Sequence, residues 1–344
     1  MDKMESFPIV NLFDFEKLAV DKMTHMAYEY VASGAADEIT LRWNRQAFDN
    51  LKLNPTVLTD VSQLDTQVSL FGQELPYPIM IAPTAYHKIM HPEGELATAR
   101  GAGAAEAVYV VSSFTTTPLE EIAKVATRPL WFQIYVRDDR DLTKALIQQA
   151  ESLGFRALCV TVDTPVAGIR NRQDKALFAL PASVTTPHMP GGLSEKKPFT
   201  WEDIEWIRSF TKMPVLLKGI LNPNDAEKAI DAGVSGIIVS NHGGRNLDTV
   251  PATIEALPRI AEKVNKRVPL LMDGGIRRGT DALKALALGA NAVLVGKPIC
   301  FGLACGGAEG VAKVMEILRN ELELTMALTG RATIAEIDGS VIWK

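Results

Sequence analysis

The sequence predicts an α/β protein, a (β/α)8 TIM barrel with an N-terminal helical cap segment and a long loop after strand four. Three observations predict it. From about Pro78 onward, short apolar runs alternate with longer helical patterns, as repeated βα units around a parallel sheet require. Eight such runs can be counted, each nearly continuous in apolar residues, as expected for strands covered on both faces. The chain has 344 residues and is 47% hydrophobic, enough to bury the core of one such barrel plus an added segment. A doubly wound open sheet is the alternative for this content, and eight units of this size favour closure.

In chain order, residues 1–77 precede the barrel. They hold a helical stretch around Phe15–Ala32, carrying Tyr28 and Tyr30, and are expected to cap one barrel end. Residues 78–344 form the barrel, within a single domain spanning 1–344. Its strands are predicted at Pro78–Thr84, Val108–Ser113, Leu130–Tyr135, Ala157–Asp163, Pro214–Gly219, Gly236–Asn241, Pro269–Gly275 and Ala292–Lys297. Helices are predicted at Asp141–Leu153, Asn224–Ala232, Ala252–Val264 and Asp281–Leu288, with Asp225 and Thr280 as caps near two of the starts. After strand four, the segment Arg172–Trp206 is rich in Pro, Thr, Gly and Lys. Loops of that length in compact domains are usually lids, binding loops or unstructured segments.

Thirty-six basic and 41 acidic residues give a formal net charge of −5, and no long run of Lys or Arg could track a phosphate backbone. Nucleic acid is thereby excluded as a partner class. Cys159, Cys300 and Cys305 form no C-x-x-C pair, and Cys159 lies in an apolar run as a small hydrophobe, which fits a reducing setting. The start, Met1-Asp2-Lys3-Met4-Glu5, lacks a signal-peptide core, and no stretch approaches the ~18 apolar residues of a membrane span. The protein is expected to be soluble and cytoplasmic, without a membrane partner or a metal site.

In a β/α barrel the chemistry sits at the C-terminal edge of the strands, so the residues that finish each run face one pocket. In order they are Pro83-Thr84-Ala85, Ser112-Ser113, Gln133 with Tyr135, Thr161 with Asp163, Lys218, Ser240-Asn241-His242, Asp273-Gly274-Gly275 and Gly296-Lys297. Any one of these, taken singly, is more often a satisfied structural residue than a catalyst. Brought together by topology, they form a candidate site with His242 as its catalytic base. Asp163 and His242 end strands four and six, and barrel layers are built from alternate strands, so the two are placed to meet. A carboxylate beside imidazole fixes its tautomer and raises its basicity.

The stretch from Asp273 to Gly279, with Gly296-Lys297, stands where barrels bind phosphate, glycine allowing close backbone approach and Arg or Lys neutralising charge. Read alone, the Gly pair is also compatible with a plain turn. Gly101-Ala102-Gly103-Ala104-Ala105-Glu106 mimics the start of a dinucleotide fingerprint, but it lacks the third Gly and lies within an Ala-rich helix. It is read as close helix packing, which argues against Rossmann-bound NAD or FAD and leaves a mononucleotide anchored by one phosphate.

These residues resemble the FMN-dependent α-hydroxy acid oxidases and dehydrogenases, a family that includes glycolate oxidase, lactate oxidase and mandelate dehydrogenase. The resemblance covers essentially the whole chain, from Tyr28-Glu29-Tyr30 and Ala32-Ser33-Gly34 to Glu323-Leu324-Thr325-Met326-Ala327-Leu328. Its most specific part is Ser240-Asn241-His242-Gly243-Gly244-Arg245. The resemblance implies FMN as cofactor, a small (S)-2-hydroxy acid as substrate, O2 as acceptor and a homo-oligomer, a tetramer.

The resemblance also implies roles. Arg245 and Arg170 would clamp the substrate carboxylate with planar forks, Tyr30 would add a third hydrogen bond, and Tyr135 would face the substrate hydroxyl or its developing carbonyl. His242, oriented by Asp163, would take a proton, either from the hydroxyl with hydride transfer to flavin N5 or from the α-carbon. Lys218 would lie beside flavin N1 and C2=O, where its charge favours the anionic reduced flavin. Thr84, Ser112, Gln133 and Thr161 would hold the isoalloxazine ring, Asp273 the ribityl chain, and Gly275, Arg277, Gly296 and Lys297 the phosphate. Pro83, Ala85, Ser240 and Gly274 complete the cofactor-binding set.

Two positions depart from the family pattern: Lys297 replaces the usual Arg, keeping charge without bidentate geometry, and Phe114 replaces a Trp common in glycolate oxidases. Tyr86 and His87, after strand one, are expected to line the substrate side-chain pocket with Phe114. Such bulk suggests a small substrate, lactate or glycolate in preference to mandelate, although an aromatic wall could equally stack on a phenyl ring. The competing readings are a dehydrogenase passing electrons to a quinone or protein, and a non-catalytic barrel that binds a phosphate-bearing ligand. The first is opposed by the lack of a preceding haem domain and by the polar loop after strand four; the second has no use for a paired base. An FMN-barrel isomerase acting on a diphosphate would need more basic groups than Arg170, Arg245 and Lys218.

Overall fold

Eight parallel strands close into a barrel in the computed structural model, which describes residues 8–192 and 199–343. They are β1 (Ile79–Ile81), β2 (Tyr109–Ser112), β3 (Leu130–Ile134), β4 (Leu158–Thr161), β5 (Val215–Ile220), β6 (Gly236–Val239), β7 (Leu270–Met272) and β8 (Ala292–Val295). Each pairs with its sequence neighbour, and β8 pairs with β1 through Val293 and Ile79 to close the ring. The strands fall within the predicted runs, β5 alone ending one residue later. Nearly every strand residue is buried, since helices cover the outer face and side chains fill the interior.

The helices are α1 (Leu12–Lys22), α2 (His25–Ala32), α3 (Ile39–Asn50), α4 (Gly94–Ala104), α5 (Leu119–Val125), α6 (Arg140–Ser152), α7 (Asn171–Lys175), α8 (Trp201–Arg208), α9 (Pro223–Asp231), α10 (Thr253–Val264), α11 (Gly279–Ala287) and α12 (Lys297–Leu328). Two expected caps are corrected. Asn222, not Asp225, caps α9, its side chain accepting from the Asn224 N–H ahead of Pro223; Asp225 lies in the first turn, where its charge favours the helix dipole. At α11 the work of Thr280 is done by Asp281, whose Oδ2 accepts from the Arg277 and Arg278 N–H groups. The Gly-Ala stretch in α4 is a packing surface: a Cβ at Gly101 would lie 2.5 Å from the Ala308 carbonyl of α12.

The N-terminal segment covers both barrel ends rather than one. The stretch expected as one helix breaks at Thr24, whose hydroxyl accepts from the Ala27 N–H and starts α2. α2 and α3 lie over the C-terminal ends of the strands. Farther along, an antiparallel ribbon, Val68–Leu70 with Gln73–Leu75, closes the opposite end. Its Leu70, Phe71 and Leu75 pack on the inward side chains of Met80, Val110, Trp131 and Leu216. The segment after β4 carries the short helix α7 before α8; the part of Arg172–Trp206 between 193 and 198, like Met1 to Glu5, lies outside the described residues. Among the described residues, no helix is long and apolar enough to cross a membrane, and no group of three or more His, Cys, Asp or Glu is placed to hold a metal ion.

Candidate active site

At the C-terminal end of the barrel lies a cavity of about 420 Å³, within the range of small-molecule sites. All six predicted substrate-binding residues line it, as do the predicted cofactor residues other than Gln133, Thr161 and Ser240. His242 leaves β6 in the left-handed conformation at φ 58°, a strained choice for a non-glycine residue, and Gly243 and Gly244 continue the turn. Its Nδ1 lies 3.0 Å from Asp163 Oδ1, and its Nε2 3.3 Å from the Tyr135 hydroxyl. An ionised Asp163 can only accept, so Nδ1 carries the proton and Nε2 is the free base.

The surroundings keep that arrangement. Burial, partly offset by Asp163, holds His242 below its ordinary value of 6.5, so it rests neutral. Burial alone would raise Asp163, but His242, Lys218 and the Thr164 hydroxyl hold it below the usual carboxylate range. Asp163 fits against β5 because Gly219, at φ +114°, has no side chain: a Cβ there would lie 2.5 Å from Asp163 Cβ. Lys218 Nζ sits 3.2 Å from Asp273 Oδ2 and donates to Ser240 Oγ at 3.0 Å. Burial would neutralise this lysine, yet Asp273 and Asp163 raise it above its ordinary value, so it stays charged. Ser240 Oγ also accepts from the His242 N–H at 3.1 Å and so ties base and lysine together.

Across the cavity, Arg245 Nη1 donates to the Tyr30 and Ser33 carbonyls at the end of α2, and Nη2 reaches Gln173 Oε1 at 3.4 Å. Arg170 donates from Nε to the Arg245 carbonyl at 3.1 Å. Neither guanidinium has a carboxylate within ion-pair distance among the described residues. Burial first, then Arg170, pushes Arg245 down to about 10. Two facing guanidinium groups without a counter-charge make a site for an anion. Aromatic rings wall the space between them: Tyr30 stacks on Phe178 at 4.6 Å, Tyr86 meets Phe114 edge-on at 5.6 Å, and Phe114 meets Tyr135 at 5.5 Å.

The remaining cavity suits a mononucleotide. Arg277 and Lys297 are held below their ordinary values by burial and by neighbouring cations, and neither has a carboxylate ion partner among the described residues. A phosphate dianion would supply the missing charge. Asp273 Oδ1 is a buried acceptor with no hydrogen-bond partner, as a polyol chain would provide. Gln133 and Thr161 stand behind the wall, in a chain from Ser112 Oγ to Gln133 Oε1 (3.1 Å) and from Gln133 Nε2 to Thr161 Oγ1 (2.8 Å). Lys297 Nζ donates to the Ala32 and Ser33 carbonyls at 2.8 and 3.1 Å, and so also ties down the end of α2. At Gly275 the close approach comes from α3: a Cβ would lie 2.1 Å from the Asn44 carbonyl.

One expectation fails and several residues had escaped notice. His87 does not line the substrate pocket; it is fully buried behind Thr84, its Nε2 2.6 Å from Thr84 Oγ1 and its Nδ1 2.8 Å from Thr98 Oγ1. The left-handed turn at Tyr86 sends the tyrosine outward and the histidine inward. Phe178 and Gln173 join the wall from the segment after β4, for which the sequence leaves a lid, a binding loop or an unstructured segment as readings. Asn44 exchanges amide hydrogen bonds with Asn241 at 3.0 and 2.8 Å, docking α3 on the catalytic turn. The Asn241 side chain also donates to the Pro251 carbonyl and accepts the Gly244 N–H, and nothing in the sequence marks Asn44 as its partner.

Fold and site together define a flavin-binding β/α-barrel oxidoreductase. The chain belongs to the FMN-dependent dehydrogenase family, whose model matches residues 19–344. It is 46% identical to an L-lactate oxidase of Nostoc sp., over 97% of this chain and 98% of that one. It is 44% identical to glycolate oxidase 3 of Arabidopsis thaliana, over 96% and 94%. A crystal structure of mandelate oxidase with benzoyl-formic acid superposes at TM-score 0.93 and 40% identity, covering 98% of each chain. FMN is accordingly the cofactor, and the protein is a member of the 2-hydroxy acid oxidase group.

Proposed function

We propose that the protein oxidises a short (S)-2-hydroxy acid of the lactate or glycolate class to the 2-oxo acid, with O2 as acceptor and H2O2 as product. The observation that carries this reading is a neutral His242 held by the ionised Asp163 and set opposite two guanidinium groups without carboxylate partners among the described residues. FMN, when bound, supplies the two-electron acceptor. Arg170 and Arg245 bind the carboxylate, with the Tyr30 phenol as a further donor. The Tyr135 hydroxyl, 3.3 Å from His242 Nε2, fixes the substrate oxygen, and Nε2 accepts the proton released during oxidation. Lys218 contributes fixed positive charge where electron density accumulates, while Arg277, Lys297 and Asp273 hold the phosphate and polyol.

The contact between Tyr30 and Phe178 supports a small substrate, because a phenyl group would have to separate the two rings. Resemblance to a lactate oxidase supports both the acid and the acceptor. The test is anaerobic addition of glycolate, lactate, mandelate and longer 2-hydroxy acids to the purified flavoprotein, followed by air. Bleaching by lactate or glycolate, then rapid recolouring with stoichiometric peroxide, is expected. Slow recolouring in air would instead mean a dehydrogenase, and no bleaching by any acid would overturn the reading.

A further inference from the structure

Arg172 is two residues beyond the substrate-facing Arg170, yet it does not line the cavity and the reaction gives it no role. From α7 its guanidinium turns toward the N-terminal segment. Nε lies 2.7 Å from Glu29 Oε2, Nη2 donates to Glu29 Oε1 at 3.0 Å, and Nη1 donates to both Glu38 oxygens at 3.2 Å. The two carboxylates are largely buried while the guanidinium is half-exposed. Glu29 directly precedes Tyr30 on α2. Glu38 stands just before α3 in the left-handed conformation at φ 61°, its Oε1 also accepting the Gly34 N–H at 2.8 Å.

The same short segment that carries Arg172 carries part of the cavity's wall. Arg170 precedes it, Gln173 follows and accepts from Arg245, and Phe178 stacks on Tyr30. Along this seam the other contacts are neutral, such as the Ala36 N–H to the Ile169 carbonyl at 2.9 Å and Asn171 Nδ2 to the Ala36 carbonyl at 3.3 Å. One guanidinium with charge-assisted bonds to two carboxylates therefore fastens the segment after β4 onto α2 and α3. Solvent screens the half-exposed guanidinium, so the bridge adds modestly to global stability, but without it Glu29 and Glu38, both largely buried, would lose their counter-charge where α2, α3 and the segment after β4 meet.

We propose that Arg172 is a positioning residue: by bridging Glu29 and Glu38 it sets the spacing of Arg170, Gln173 and Phe178 from Tyr30 and Arg245 across the substrate cavity. The inference rests on the proposed oxidation for its kinetic readout, but not for its structural one. With FMN-saturated Arg172→Gln, KM for the best hydroxy acid should rise about tenfold while kcat stays within about threefold, the pattern of lost binding rather than lost chemistry. Arg172→Lys should recover only part, since one ammonium cannot fork between two carboxylates. FMN affinity, read from flavin fluorescence on titrating apoprotein, should be unchanged, while the thermal midpoint should fall slightly and recover in the double variant Arg172→Gln with Glu29→Gln, which removes one of the carboxylates left without its counter-charge. The double variant Arg172→Gln with Glu29→Gln should be no worse than Arg172→Gln alone, as expected for residues acting through one interaction.

Trypsin cleavage after the exposed Lys175 should accelerate several-fold in Arg172→Gln. This arm decides the bridge even if no hydroxy acid bleaches the wild-type flavin, an outcome that would defeat the proposed function alone. Unchanged cleavage together with an unchanged KM would overturn the proposal. So would a KM rise that comes with weaker FMN binding and a thermal midpoint that the double variant does not recover, which would mark general destabilisation.

Discussion

Two layers inside the same barrel, one step apart on the same strands, have opposite chemistry. Toward the N-terminal end the inward residues are Val110, Trp131, Cys159, Leu216, Ile238 and Leu271. Two positions further along each strand, on the same face, they are Ser112, Gln133, Thr161, Lys218, Ser240 and Asp273, all buried. The lower layer meets the apolar ribbon and serves the core. The upper layer consists of groups that are costly to bury unless each finds a partner. Most partners are internal, in the Lys218–Asp273–Ser240 cluster and the Ser112–Gln133–Thr161 chain. The one left over, Asp273 Oδ1, lies at ligand space, which Arg277 and Lys297, cations without a carboxylate ion partner among the described residues, also line. Stability and function are thus separated along the barrel axis by about one residue pair.

Substitutions in the two layers should break the molecule differently. His242→Gln should keep FMN yet slow anaerobic flavin reduction by ~10²–10⁴-fold, as expected for loss of a general base; near-normal reduction would remove His242 from the role. Lys218→Met leaves Asp273 buried without its ion partner, so it should cost about 3–5 kcal/mol in urea unfolding and slow flavin reduction as well. Leu271→Ala, two residues before Asp273, should cost about 2–5 kcal/mol in the same unfolding experiment, with the flavin reduction rate nearly unchanged. If Leu271→Ala impaired reduction as much as Lys218→Met, the separation of layers would not hold. The smallest effect should come at the wall: Phe178→Ala should raise kcat/KM for mandelate relative to lactate by about tenfold, in the range of one pocket group.

Much of this division is legible in the sequence because a strand buried on both faces leaves an unbroken apolar run, and a polar residue ending such a run has few reasons to be there. Lys218 after Val215-Leu216-Leu217 and Asp273 after Leu270-Leu271-Met272 stand out on that ground. What could not be read is direction and long-range pairing. Apolar periodicity runs through Met23 and hides the break at Thr24. A lysine in a phosphate-binding position does not disclose that its ammonium reaches the carbonyls of Ala32 and Ser33. Tyr86 and His87 are adjacent, and only the left-handed turn decides that one faces the cavity and the other Thr98. Phe178 lies in a segment without periodicity, so its stacking on Tyr30 depends on how α7 is fastened to α2.

The most direct test of the base assignment is the pH dependence of the second-order rate constant for anaerobic flavin reduction at low substrate, which reports groups in the free enzyme. Burial holds His242 below 6.5, and the proposed role as base requires its neutral form. The rate constant should therefore be flat above that value and fall as pH drops through an acid limb centred below it. In His242→Gln the limb should vanish with the bulk of the rate. A limb that persists unchanged in the variant, or a wild-type rate that rises in acid, would contradict the account.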